Sequence, residues 1–140
     1  MEENAKTILI VEDDSGMIEL LSDKMSDCGY QSVRAELGTD ALIWLQNHTP
    51  FLMILDYCLP DMNGEEFIIG LKEKNIPIPP FIVSTGQGDE RIAVEMMKLG
   101  ASDYIIKDKH FLEMIPLVVS RVGREIEHED KFRQTEQALS

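Results

Sequence analysis

Short apolar runs that alternate with segments of helical spacing constrain the fold of this chain more tightly than any other feature. Residues 7–11 (Thr-Ile-Leu-Ile-Val), 51–55 (Phe-Leu-Met-Ile-Leu) and 81–84 (Phe-Ile-Val-Ser) are nearly continuous in apolar side chains. Runs of this length without polar alternation read as strands covered on both faces, as in a parallel sheet flanked by helices. Residues 30–35 are shorter on apolar character and suit a sheet edge, and residues 104–106 form the last strand. Between the runs, Ile18, Leu21, Met25 and Cys28 fall at helical spacing, as do Phe67, Ile68 and Leu71, and Ile92, Met96 and Leu99. Leu42, Trp44 and Leu45 mark a further helix after Gly38. Strands joined by single helices with right-handed crossovers predict an α/β doubly wound parallel sheet of five strands, with helices on both faces. In such sheets ligands gather at the carboxyl ends of the strands.

Punctuation supports this division. Asp14 or Ser15 caps the first helix and Gly29 stops it, while Asp89 caps the fourth and Gly100 closes it. Residues 76–80 (Ile-Pro-Ile-Pro-Pro) cannot continue a helix and deliver the chain extended into the next strand. The last helix is expected to start within about a turn of Pro116, with Ile115, Val119, Val122 and Ile126 as its packing seam. Beyond Ile126 the seam gives way to Glu129 and Arg133, with Phe132 and Leu139 off register. Residues 1–123 therefore read as one domain and residues 124–140 as a charged helical extension or linker without a stop signal.

Charge narrows the partners. Twenty-six acidic residues against 13 basic ones leave a net charge of −13, which disfavours nucleic acid and suits a cation site or a basic protein partner. No apolar run approaches the roughly 20 residues of a membrane span, so no membrane contact is expected. Residues 1–6 are too polar for a signal peptide, and Cys28 and Cys58 are too few for a disulfide framework. Reduced thiols and a cytoplasmic location follow as the expectation.

The strand ends carry the chemistry. The first strand runs into Glu12, Asp13 and Asp14, the third ends at Asp56, the fourth at Ser84 and Thr85, and the fifth at Lys107. Carboxylates gathered this closely repel one another unless a hard cation holds them. Mg²⁺ accepts one or two protein carboxylates and leaves room for phosphate oxygens. A carboxylate can also act as nucleophile and become an acyl phosphate, with a lysine neutralising the transferred group.

These residues sit in Ile-Leu-Ile-Val-Glu-Asp-Asp, Leu-Asp-Tyr-Cys-Leu-Pro-Asp-Met-Asn-Gly, Val-Ser-Thr-Gly and Gly-Ala-Ser-Asp-Tyr-Ile-Ile-Lys. In this order and at these separations the motifs resemble the receiver domain of two-component response regulators, over residues 6 to 123. The resemblance implies a flavodoxin-like strand order of 2-1-3-4-5. It implies that Asp56 accepts a phosphoryl group from a phosphohistidine on a histidine kinase or phosphotransfer protein, in a Mg²⁺-dependent reaction. Asp13 and Asp56 would bind the metal directly, Glu12 through water, and Cys58 through its carbonyl oxygen. Lys107 would pair with Asp56 or its phosphate, Thr85 would hydrogen-bond the phosphate, and Tyr104 would change rotamer with it. A downstream protein, or an output domain fused to a longer chain, would read the change. Asp14 is expected to cap its helix rather than join the site.

Two positions depart from the family pattern. Asp108 stands where a proline commonly follows the lysine; a trans bond and a differently shaped loop are expected, with an extra acid near the phosphate. Cys58 and Gln87, two positions after Asp56 and Thr85, are uncharged where the family tunes access of water. The rival readings each lack a part. A Mg²⁺-dependent aspartyl-phosphate phosphatase needs a second acid where Cys58 stands, and a flavin module would be repelled by the acids after the first strand. A phosphate-independent module has no use for the full acid, hydroxyl and lysine set. The methionines read as core, and His48, His110 and His128 as surface residues without metal-ligand spacing.

Overall fold

A computed structural model describes residues 6–86 and 88–139, with side chains described through residue 134. Five strands alternate with five helices: β1 (Thr7–Val11), α1 (Ser15–Asp27), β2 (Gln31–Ala35), α2 (Gly38–Leu45), β3 (Leu52–Asp56), α3 (Gly64–Glu73), β4 (Phe81–Thr85), α4 (Glu90–Lys98), β5 (Asp103–Ile106) and α5 (Phe111–Leu139). All neighbouring strands pair in parallel in the order β2-β1-β3-β4-β5. This is the expected doubly wound flavodoxin-like sheet. β3 and β4 are buried at every position, whereas β2 and β5 are partly exposed, as edge strands are.

Alternation along the strands splits the core in two. Leu9, Val11, Met53, Leu55, Phe81 and Val83 pack against α2, α3 and α4, with Phe67 and Leu71 fully buried among them. Ile8, Ile10, Leu52, Ile54 and Ile82 face α1 and α5. Each such side chain contributes about 1.5–3 kcal/mol by leaving water, so the two layers hold the sheet edge where the site is built.

Helix ends follow the local chemistry of the sequence. The Asp14 carboxylate accepts the Met17 N–H (3.1 Å), which makes it the cap of α1. Asp89 caps α4 through the Arg91 N–H, and Asn63 and Glu66 form a reciprocal capping box on α3. Gly29 and Gly100 take positive φ values of 90° and 108° just past α1 and α4, where a side chain would be strained. No cis peptide bond occurs among the described residues, so Lys107–Asp108 is trans as expected.

α5 differs from expectation at its start. It begins at Phe111, which places Pro116 at the sixth helical position, slightly more than a turn inside. Phe111 and Ile115 are both buried against α1 and the sheet, and their burial outweighs the hydrogen bond that Pro116 cannot donate. The seam Ile115, Val119, Val122 is buried, Ile126 is partly so, and the helix then runs on through residue 139 as one element. Its departure is anchored at the amino edge of the sheet. Glu127 pairs with Lys6, whose ammonium lies 4.8 Å over the Phe51 ring, and Phe51 stacks on Tyr30. No helix among the described residues is long and apolar enough to cross a membrane.

Candidate functional site

Strand register assembles the site. Val11 lies opposite Leu55, so Glu12 comes level with Asp56; Asp56 pairs with Ser84, and Thr85 pairs with Ile106, one step before Lys107. The two-residue alternation then sorts the side chains. Glu12, Asp56 and Lys107 continue the rows of Ile10, Ile54 and Ile105, on the α1 and α5 side. Thr85 continues the row of Phe81 and Val83, and Tyr104 packs half-buried against that same layer.

The centre of the site is an ammonium between two carboxylates. Lys107 Nζ donates to Glu12 Oε1 at 2.6 Å and to Asp56 Oδ2 at 2.9 Å. Glu12 and Asp56 are 2% and 5% exposed, so the bridge is shielded from water. The second Glu12 oxygen accepts the Asp14 N–H (3.1 Å), and the second Asp56 oxygen accepts the Cys58 N–H (3.3 Å). Asp13, exposed, completes a trio in which carboxylate oxygens of Glu12, Asp13 and Asp56 all lie within 4.8 Å of one another. Burial raises the pKa of the Glu12 carboxyl, an effect that the bonds from Lys107 and Asp14 only partly offset. Burial works to lower the pKa of Lys107, but its bonds to Glu12 and Asp56 outweigh this and raise it. Lys107 is thus held as a cation at neutral pH.

Three carboxylates against one ammonium leave two negative charges in a small volume. A donor set of carboxylate oxygens, with no nitrogen or sulfur, suits a hard dication of the Mg²⁺ type. Beside it, Asp56, Cys58, Thr85 and Lys107 line a cleft of about 490 Å³ that reaches Asp89 and Ile92 at the start of α4. The cleft brings the nucleophile candidate, the lysine and the hydroxyl-bearing strand end together at one opening.

Glu12, Asp13, Asp56, Cys58, Thr85 and Lys107 therefore come together, whereas Tyr104 packs against the layer facing α4 and does not line the cleft, and two further details differ. Glu12 is bonded to Lys107 directly, at a shorter distance than Asp56 is. Asp108 turns away to local work: its carboxylate accepts the His110 N–H (2.9 Å) and its carbonyl the Phe111 N–H, which organises the approach to α5. Gln87 lies outside the described residues. One contact near the site was not foreseen from the sequence. Asp61, on the loop after β3, accepts the Gly38 and Thr39 N–H groups at the start of α2 (2.9 and 3.0 Å). The available signal was the apolar Leu37 ahead of Gly38, a helix start with no capping side chain of its own.

Comparison with known proteins agrees with this fold. The chain matches the response regulator receiver domain over residues 8–118. It is 33% identical over 123 residues to the phosphate regulon transcriptional regulatory protein PhoB of Escherichia coli (strain K12), covering 85% of this chain and 54% of that protein. The chain spans about half the length of the curated relatives it matches. Among solved structures, a signal receiver domain from Vibrio parahaemolyticus superposes with a TM-score of 0.82 at 28% identity, covering 91% of this chain and 97% of that one. The receiver domain of a signal transduction histidine kinase from Syntrophus aciditrophicus gives 0.70 at 29% identity, covering 87% and 89%. With the sheet order, the acidic trio and the lysine bridge in place, the chain belongs to the response regulator receiver domain family.

Proposed function

We propose that this chain is a phosphoryl-accepting switch in a histidine-to-aspartate relay, with Asp56 as the acceptor. The observation that carries the reading is the Lys107 ammonium shared between Glu12 and Asp56 beside a third carboxylate, at the mouth of an open cleft. An Asp56 oxygen attacks the phosphorus of a partner's phosphohistidine; the new O–P bond forms as the P–N bond breaks and its electron pair leaves on the imidazole nitrogen. Lys107 then exchanges its bond to the carboxylate for one to the phosphoryl oxygens, and the Thr85 hydroxyl donates to another. Tyr104 follows Thr85 within the layer facing α4, which alters the surface read by a partner.

Asp13, Asp56 and the Cys58 carbonyl would hold Mg²⁺, with Glu12 acting through water. When bound, the metal supplies charge neutralisation for the equatorial oxygens during transfer. Hydrolysis of the acyl phosphate returns the switch to rest, so the chemistry is that of a phosphoacceptor with self-dephosphorylation rather than a turnover enzyme.

A histidine kinase or phosphotransfer protein is the proposed donor. Output passes through a downstream protein or a fused domain, for which the extension of α5 over residues 124–139 is the connection we favour. Both cysteines are free thiols, which supports a reducing, cytoplasmic setting. Incubation with a small phosphodonor and Mg²⁺ tests the reading. An acid-stable, hydroxylamine-labile phosphate is expected on the wild type and not on Asp56→Asn; its absence from the former, or persistence in the latter, refutes it.

A further inference from the structure

The loop between β3 and α3 is folded on itself by short-range bonds. Cys58 and Asn63 form an isolated antiparallel bridge, Leu59 N–H donates to the Met62 carbonyl (3.1 Å), and Gly64 N–H donates to the Tyr57 carbonyl (2.8 Å). These bonds tie the tip of the loop to Cys58. Cys58 in turn touches the acceptor, because its N–H donates to Asp56 Oδ1.

The tip is fastened to a different element. Asp61 uses both oxygens, Oδ1 for the Gly38 N–H and Oδ2 for the Thr39 N–H, so it grips the first turn of α2 in two places. α2 supplies no cap of its own, since its N-cap residue is Leu37. The neighbouring Met62 packs over Gly38 so closely that a Cβ there would come within 2.5 Å of its sulfur. A bidentate grip and an adjacent packing contact together fix both the height and the tilt of the loop. Asp61 is exposed and is not one of the three clustered carboxylates, so an effect on them would pass through the loop.

We propose that Asp61 is a positioning residue of the phosphoacceptor site: by clamping the β3–α3 loop to the start of α2, it holds Cys58 where its N–H restrains Asp56 and its carbonyl meets the cation. This rests on the proposed function, which assigns that carbonyl to Mg²⁺. Partners that orient metal ligands typically contribute tenfold or more to affinity, which sets the size of the effect.

Calorimetric titration of the full chain with MgCl₂, paired with melting curves in chelator, tests the assignment. Asp61→Ala is expected to weaken Mg²⁺ binding about tenfold and to lower the melting temperature. Asp61→Asn keeps one acceptor oxygen and is expected to fall between Asp61→Ala and the wild type; it also serves as the reading if the truncation unfolds the chain. Leu37→Ser added to Asp61→Ala gives α2 its own cap, so the melting temperature is expected to recover while Mg²⁺ affinity stays low. Recovery of both together would show that Asp61 is a helix cap and nothing more. Wild-type affinity in Asp61→Ala, or in Asp61→Asn should the former not fold, overturns the assignment alone. A wild type that binds no Mg²⁺ overturns the proposed function and this inference with it.

Discussion

Replacing Asp13 by Asn removes one of the three carboxylates whose oxygens lie within 4.8 Å of one another. At that separation two unit charges repel by about 1 kcal/mol in a water-like medium and by about 3.5 kcal/mol at an effective dielectric of 20. Asp13 is exposed, so the lower figure applies to each of its two repulsions, with Glu12 and with Asp56. Lys107 attracts Asp13 and offsets roughly one of the two, although its hydrogen bonds go to the other carboxylates. A net gain of about 1 kcal/mol is left for Asp13→Asn without metal, or a melting temperature higher by about 3–5 °C for a chain of this size. Magnesium reverses the order. At a hundred times its dissociation constant, a ligand that binds only the folded state stabilises by about 2.7 kcal/mol, a gain available to the wild type and largely lost to the variant. Thermal melts in chelator and in excess MgCl₂ should therefore cross, with the variant ahead in the first and behind in the second. A variant no more stable than wild type in chelator, or one that responds equally to Mg²⁺, would refute the view that charge repulsion in the trio is what the cation relieves.

Three further outcomes follow from contacts away from the trio. Hydrogen bonds from the Gly38 and Thr39 N–H groups lower the Asp61 pKa against a raising effect of burial. A depressed acid adds stability above its unfolded value and loses it as pH falls through the folded value, so the advantage of wild type over Asp61→Asn should fade below pH 3.8 in acid titrations followed by circular dichroism. Gly123→Ala would place a Cβ 2.8 Å from the Tyr30 oxygen and 3.4 Å from Phe51. The larger Gly123→Leu should cost about 1–3 kcal/mol by urea denaturation, through overpacking where α5 leaves the body. Gly38→Ala and Met62→Ala should couple: the first alone crowds the methionine, and the pair should be less destabilising than the sum of the singles by roughly 0.5 kcal/mol or more.

Much of this architecture is legible because the code for it is local. The apolar run at β3 has no polar alternation, and the structure buries Leu52 to Leu55 with Phe51 partly covered. Asp14, Gly29, Asp89 and Gly100 act where their backbone chemistry predicts, since caps and stops need only neighbours in sequence. Pro116 shows the limit of local rules. Its missing N–H argues for a later helix start, but two buried residues in the turn before it, Phe111 and Ile115, outweigh that bond.

Which residues end the strands can be read along the chain: Glu12 and Asp13, Asp56, Thr85, Lys107. Periodicity and chain order suffice for that, because a buried parallel strand leaves its next residue at the ligand edge. How those residues share their charges depends on the folded arrangement. Register brings Glu12 level with Asp56 and lets one lysine reach both, at 2.6 and 2.9 Å, an outcome set by the meeting of three strands rather than by any segment. The same holds for Asp61. Its carboxylate reads as a loop acid in sequence, and it becomes the cap of α2 only because the fold lays that loop across a helix start with unsatisfied N–H groups.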